Sequence, residues 1–326
     1  MAGGQERILK RRIKSVEATK KITRAMELIA GSRIVKAQQR VRAARPYSER
    51  VTGVIQNLAA AGAASDHPLL ADPTDVTKIG YIVISADRGL AGGYNGNVLR
   101  LVERCVKEDV AAGTDYALIT AGKKGTAYFR FREYGIHSHF EGFSDAPTYE
   151  DARVMASEAT DLFESGEVQQ IKLVYTQFLS LGVQQAVVVP FVPLDRTQLE
   201  ETEATGPKPL YEFEPDPTTI LERLLPRYAE ARLFSAMLES AASEHAARQR
   251  AMKAATDNAE DLVTTLSRVM NRGRQDAITT EIMEIVGGAE ALKSDGKLVS
   301  DDLLADSIEG RREKIYASLV QPHATD

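Results

Sequence analysis

The residues best suited to chemistry lie in a few short stretches. Asp87-Arg88-Gly89-Leu90-Ala91-Gly92-Gly93-Tyr94-Asn95 follows a strand-like run and precedes a helix-like one. Phosphate loops sit at such junctions, because free backbone N–H groups and the positive end of the helix dipole face an anion there. The glycines, however, do not follow Gly-x-Gly-x-x-Gly spacing, and the chain contains no Gly-x-x-x-x-Gly-Lys-Ser/Thr. They are read as permitting a tight strand-to-helix turn. Gly122-Lys123-Lys124-Gly125 opens the next helix in a similar way and is read likewise. His137 and His139 alternate, which puts them on one face of a possible strand, but no further metal ligands are evident nearby and both are taken as surface or packing residues. No Gly-x-Ser-x-Gly elbow occurs, and carboxylate pairs such as Glu260-Asp261 fall on a helix as solvated charge. One cysteine, Cys105, excludes an internal disulfide and any zinc site built on several cysteines. No catalytic set assembles, and neither a cofactor nor a metal is expected.

Composition is that of an ordinary globular chain: 326 residues, 43% hydrophobic and 27% charged, enough for one large or two modest domains. The longest apolar run, Ala186 to Val192, is interrupted by Pro190 and is far shorter than the roughly 20 residues of a membrane-spanning helix. The start of the chain is charged from Glu6 onward and lacks an apolar signal core. Charge is unevenly spread: residues 1–50 hold fourteen Lys/Arg against four Asp/Glu, so the rest of a chain of net −5 carries −15. A basic end on an acidic protein marks an interaction surface, though it does not name the partner.

Two long helices must frame whatever lies between them. Leu9, Ile13, Val16, Lys20, Thr23, Glu27, Ala30, Ile34, Ala37, Val41, Ala44, Ser48, Val51, Ile55 and Leu58 are spaced alternately four and three apart, the seven-residue repeat of a left-handed coiled coil. The seam turns polar at Lys20, Thr23 and Glu27, where a neighbouring stripe, Ile22, Met26 and Ile29, is expected to take over. Pro46 should kink this helix. A second helix starts at Asp216-Pro217, with Asp as N-cap and Pro in the first turn, kinks at Pro226 and stops at Gly287-Gly288. At 1.5 Å per residue the two would span about 90 and 105 Å. Between them, Ile79–Ala86, Tyr116–Ala121, Ile171–Phe178 and Gln184–Val192 read as strands, with helices at about 95–112, 122–134 and 148–165. The expected fold is an α/β head, Rossmann-like with a mostly parallel sheet and a terminal antiparallel hairpin, inserted between two helices that wind into an antiparallel coiled coil. The expected organisation is a coiled-coil helix over 1–61, a loop over 62–78, the head over 79–194, a linker over 195–217, the second coiled-coil helix over 218–288 and a mobile tail over 289–326. A shaft this thin needs an enclosing partner.

The two ends of the chain carry a resemblance. IKSVEATKKITRAMELIAGSRIVKAQ at 13–38 resembles the N-terminal helix of the gamma subunits of F-type ATP synthases, and RQRAMKAATDNAEDLVTTLSRVMNRGRQDAITTEIMEIVGGAEAL at 248–292 resembles their C-terminal helix. SADRGLAGGYNGNV at 85–98 and YEFEPDP at 211–217 also match the family pattern. The resemblance implies a non-catalytic rotor shaft of the central stalk. It turns inside a ring of alpha and beta subunits that carry the ATP chemistry. Its head rests with epsilon on the membrane c-ring, and proton flow is coupled to ATP synthesis or hydrolysis. The place implied is the cytoplasmic face of the cell membrane, reached only through the complex, with no nucleic acid as partner. Matched position by position, Met26 falls at the family's coupling methionine beside Arg248 and Gln275. Arg274 and Gln275 fall at the pair that binds a catch loop on beta, and Tyr211, Phe213 and Glu214 at the residues resting on the c-ring loops. The chain departs from the family at Gly273, which costs about 1 kcal/mol of helix propensity. It departs again in 293–326, which extends past the family's usual end near Leu292. Two other readings are a coiled-coil scaffold or nucleic-acid binder using the basic arm, and a nucleotide-binding enzyme using Gly89–Gly93.

Overall fold

The computed structural model describes residues 2–58, 68–70, 75–194, 214 and 216–294. Two compact units are present, Met1–Ala18 with Ala259–Asp326, and Thr19–Asn258.

The larger unit holds a five-stranded sheet ordered β3-β2-β1-β4-β5. β1 (Lys78–Ile84) pairs in parallel with β2 (Asp115–Ala121) and β4 (Gln170–Phe178), and β2 pairs in parallel with β3 (Ile136–Phe140). β5 (Gln184–Val192) closes the other edge as an antiparallel hairpin with β4. The central strands are buried on both faces, which is why they read as continuous apolar runs. Their alternation sorts two cores. Tyr81, Val83, Leu118 and Val174 pack with α2 (Tyr94–Ala111) and with Phe129 of α3 (Lys123–Phe131). Ile82, Ile84, Ile119 and Leu173 pack on the other face with α4 (Tyr149–Glu164) and with the long terminal helices α1 (Ala2–Leu58) and α5 (Pro217–Ser294). Tyr81, Phe129 and Phe191 are fully buried, and each such side chain contributes about 1.5–3 kcal/mol. α4 begins at a reciprocal cap: Asp151 N–H donates to the Thr148 hydroxyl while Asp151 carboxylate accepts from Thr148 N–H at 2.7 Å.

β3 is the element the spacing of the sequence shows least. His137 and His139 do share a face, the exposed one, and His137 sits 3.4 Å from Glu158 and 3.9 Å from Glu167. The strand is short and at the sheet edge, so its polar alternation carries little apolar signal.

The long helices run antiparallel. Thr23 meets Thr256, their hydroxyls 2.8 Å apart, while Gly31, further along α1, faces Gln249, earlier in α5. The heptad seam is the buried one, and it stays buried where it turns polar: Thr23 and Glu27 are as covered as Ala37. The Ile22–Ile29 stripe therefore does not take over. Ile22 and Ile29 remain exposed and Met26 is half-buried. The buried polar seam is satisfied internally, since the Thr23 hydroxyl also donates to Lys20 carbonyl and Glu27 accepts two bonds from Arg24. Pro46 and Pro226 both lie within unbroken helical runs. Asp216 caps α5, accepting from Thr219 N–H at 3.1 Å. α5 does not stop at Gly287-Gly288 but continues to Ser294, because a glycine inside a helix costs only about 1 kcal/mol against many formed bonds.

In the smaller unit the seam is thinner. Leu9, Ile13 and Val16 are half-buried and Leu266 is buried, but from Asn271 to Leu292 only Ala277, Ile285 and Ala289 are partly covered. Ile278, Ile282, Met283 and Val286 are exposed. Among the described residues, no helix is long and apolar enough to cross a membrane.

Candidate functional site: the collar around the second shaft helix

In open α/β sheets, ligands bind outside the carboxyl ends of the strands. Here that crevice is filled by α5. Nine consecutive residues, Ser240–Arg248, are buried, although α5 is exposed over most of its far half. Three strand-end segments produce this burial. From the β1–α2 junction, the Tyr94 hydroxyl lies 2.7 Å from the Ser240 hydroxyl, and Ala86, Ala91 and Tyr94 pack on Ala247. From β4, Thr176 carbonyl accepts the Ser243 hydroxyl at 3.1 Å. From the β3–α4 loop, Asp145 carbonyl pairs with His245 Nε2 at 3.1 Å.

Arg248 is the charged centre of this collar. Its guanidinium donates to Glu244 at 2.6 Å and to Gly89 carbonyl at 3.3 Å, lies 3.4 Å from His245 Nδ1 and stands 4.0 Å from Asp145. With Nε2 held by a carbonyl, His245 is the neutral tautomer that donates from Nε2 and accepts at Nδ1. Burial holds its pKa below the ordinary histidine value; the hydrogen bond to Asp145 carbonyl is the largest opposing influence, joined by the Asp145 charge, while the charges of Arg248 and Arg33 add to the lowering. Burial raises the pKa of Glu244, with the Arg248 charge opposing it. Tyr94, wholly buried near Glu244, is likewise raised and keeps its proton.

Of the two loops that could have cradled phosphate, Gly122–Gly125 is occupied by the chain itself. Asp87 carboxylate takes the N-terminus of α3: it accepts Lys123 N–H at 3.0 Å, Gly142 N–H at 3.0 Å and Ser144 N–H at 3.1 Å. Burial alone would raise its pKa, but the bonds from Ser144, Lys123 and Gly142 outweigh it and hold the group below its ordinary value. An internal anion thus sits where a ligand's would. Gly89 lends its carbonyl to Arg248. The collar positions a helix rather than assembling reactive groups.

Of the residues singled out from the sequence, Arg248 is central here and its bonds run to the head and its own helix. Met26 is half-buried on α1. Arg274 and Gln275 are both exposed on α5. Glu214 is exposed; Tyr211 and Phe213 lie outside the described residues. Sequence reasoning named Asp87 only as the start of its glycine-rich stretch and did not single out Asp145, Glu244 or His245. For Asp87 and Asp145 the partners lie in other elements, where no periodicity points. For Glu244 the i, i+4 spacing to Arg248 was a signal available in the sequence.

Comparison with known proteins agrees in extent with these elements. A family model for ATP synthase matches residues 5–292. The chain is 50% identical over 295 residues to an ATP synthase gamma chain of Frankia casuarinae, covering 89% of this chain and 99% of that one. It is 46% identical over 300 residues to that of Mycolicibacterium smegmatis, covering 88% and 97%. Among solved structures, a chain of the Euglena gracilis mitochondrial ATP synthase in an OSCP/F1/c-ring assembly superposes with a TM-score of 0.64 at 17% identity, covering 92% of this chain and 98% of that one. A chain of the Tetrahymena thermophila mitochondrial ATP synthase central stalk and c-ring gives 0.56 at 21%, covering 72% and 99%.

Proposed function

This chain belongs to the family of ATP synthase gamma chains, and we propose that within the enzyme it is the non-catalytic rotor shaft, coupling proton flow through a membrane c-ring to ATP turnover on alpha and beta subunits. The observation that carries this reading is the collar. The crevice where an α/β sheet would bind a nucleotide holds the buried run Ser240–Arg248 of a 78-residue helix instead. That arrangement fastens the head to this stretch of α5 and packs Ala91 and Tyr94, at the Gly89–Gly93 turn, against Ala247. The unpartnered apolar face at Ile278, Ile282, Met283 and Val286 is what an enclosing ring would cover. The basic first fifty residues suit an acidic surface on that ring; the nucleic-acid scaffold reading has no support beyond the same charge.

The finer assignments follow the family. Met26, Arg248, Arg274 and Gln275 serve the beta-subunit coupling surface, in which Arg248 acts by fixing α5 rather than by touching beta directly. Tyr211, Phe213 and Glu214 meet the c-ring, epsilon lies beside the head, and the complex sits at the cytoplasmic face of the cell membrane. Rotation changes which beta conformation the shaft face favours, and work is done through differential binding to those states.

The test is co-expression with alpha and beta subunits of a close relative. The chain should co-purify with them in a complex that hydrolyses ATP, while the isolated chain neither hydrolyses ATP nor binds it at micromolar concentration. Hydrolysis by the isolated chain, or failure to enter the ring, would refute the reading.

A further inference from the structure

At the collar the surface of α5 is smooth. Ala241, Ala242, Ala246 and Ala247 are all buried there, and alanines form no ridges to interlock with a groove. Apolar burial resists pulling the helix out but is non-directional, so it resists turning poorly. Rotational register therefore falls to directional polar contacts; several segments of the head supply them to α5, and those of the β3–α4 loop reach both long helices. Asp145, in the β3–α4 connection, takes Arg33 of α1 at 2.7 Å, Arg88 of the β1–α2 loop at 3.4 Å and Arg248 of α5 at 4.0 Å. Its carbonyl holds His245, and Pro147 carbonyl accepts Arg40 of α1. The loop is itself fastened to the sheet: Asp87 accepts Gly142 and Ser144 N–H groups, and Asp87 N–H donates to the Ser144 hydroxyl at 2.9 Å. Of these, the Arg33 pair is a charge-assisted hydrogen bond, the strong and orientation-dependent kind, whereas Arg88 and Arg248 stand at ion-pair distance and Asp145 Oδ1, the oxygen nearest Arg248, accepts no hydrogen bond among the described residues.

We propose that Asp145 is a positioning residue through which the head grips both shaft helices, so that torque passes between head and shaft at this loop. The inference rests on the rotor reading above and adds to it the place where force crosses from one part of the rotor to the other. Loss of the grip should let α5 slip in its collar under load while leaving the shaft folded.

The experiment uses the assembled complex in inverted membrane vesicles, with Asp145→Ala, Asp145→Glu and Arg33→Gln. Removing the carboxylate loses the Arg33 hydrogen bond that ties this loop to α1, so amide exchange at Ser144 and Ala146 within the loop should rise on the order of tenfold. ATP hydrolysis with the gradient dissipated should stay near wild type, and protons pumped per ATP should fall progressively as the opposing gradient is raised. Arg33→Gln should show the same load-dependent loss more weakly, and Asp145→Glu should behave as wild type. Pumping per ATP unchanged at every gradient despite faster exchange would overturn the proposal, and so would hydrolysis and pumping falling in parallel in Arg33→Gln. Should Asp145→Ala fail to fold, Arg33→Gln decides, since that arginine is partly exposed and its loss does not open the core. A wild-type complex that pumps no protons would instead refute the rotor reading itself.

Discussion

Gly122 offers the sharpest test of how the head is built. It joins β2 to α3 with φ at +98°, and a Cβ placed there would lie 2.2 Å from Ser85 carbonyl oxygen and 2.8 Å from the Ser85 hydroxyl. Ser85 cannot retreat freely. Its N–H donates to Ala121 carbonyl at 2.7 Å, and its hydroxyl donates to Ala121 carbonyl at 2.9 Å and accepts Gly125 N–H at 2.9 Å. For Gly122→Ala the positive φ costs about 1–3 kcal/mol, and displacing the ends of β1 and β2 adds about 1–3 kcal/mol of overpacking. Gly113→Ala separates the two effects, because φ there is +88° but nothing lies within 4 Å of an added Cβ. Gly122→Ala should therefore be less stable than Gly113→Ala by about 2 kcal/mol, a difference of roughly 4–8 °C in melting temperature. The assay is thermal and urea unfolding of both variants beside wild type. Equal destabilisation by the two would refute the packing of Ser85 against α3 and with it the account of why this glycine turn is structural rather than phosphate-binding.

Acid should loosen the collar at His245. Its folded pKa lies below the ordinary value, so its contribution is complete above about pH 6.5 and is lost as pH falls from there through the folded value; unfolding midpoints should drop over that range, and His245→Gln should flatten the dependence. Met26→Lys should leave assembly and ATP hydrolysis intact but lower protons pumped per ATP, because a lysine adds an ion-pairing charge to a half-buried position that we propose slides past beta; an unchanged pumping ratio would remove Met26 from that surface. Glu214→Lys should weaken proton-driven synthesis more than hydrolysis by the detached ring, since Glu214 is exposed just ahead of α5, and equal loss of both would point to misfolding.

Much of the architecture was legible because it is local or periodic. A seven-residue repeat needs only neighbours along one helix, so the seam from Leu9 to Leu58 could be placed without knowing its partner. The same holds for the Asp216 cap and for the β1, β2, β4 and β5 runs, whose apolar density reflects burial on both faces. The family resemblance at 248–292 then marked Arg248. What the pattern could not decide is what depends on distant segments meeting. β3 is an edge strand whose polar alternation marks only a possible strand, and Gly287-Gly288 resembles a stop although a long helix absorbs two glycines. Thr23 and Glu27 look like a break in the seam and are instead buried in it, Thr23 paired with Thr256, 233 residues away. Asp145 and Asp87 gain their roles only when three strand ends close around α5. Sequence spacing reports the geometry of one element at a time, whereas the collar is made of hydrogen bonds between elements, and those exist only once the sheet and the shaft have packed.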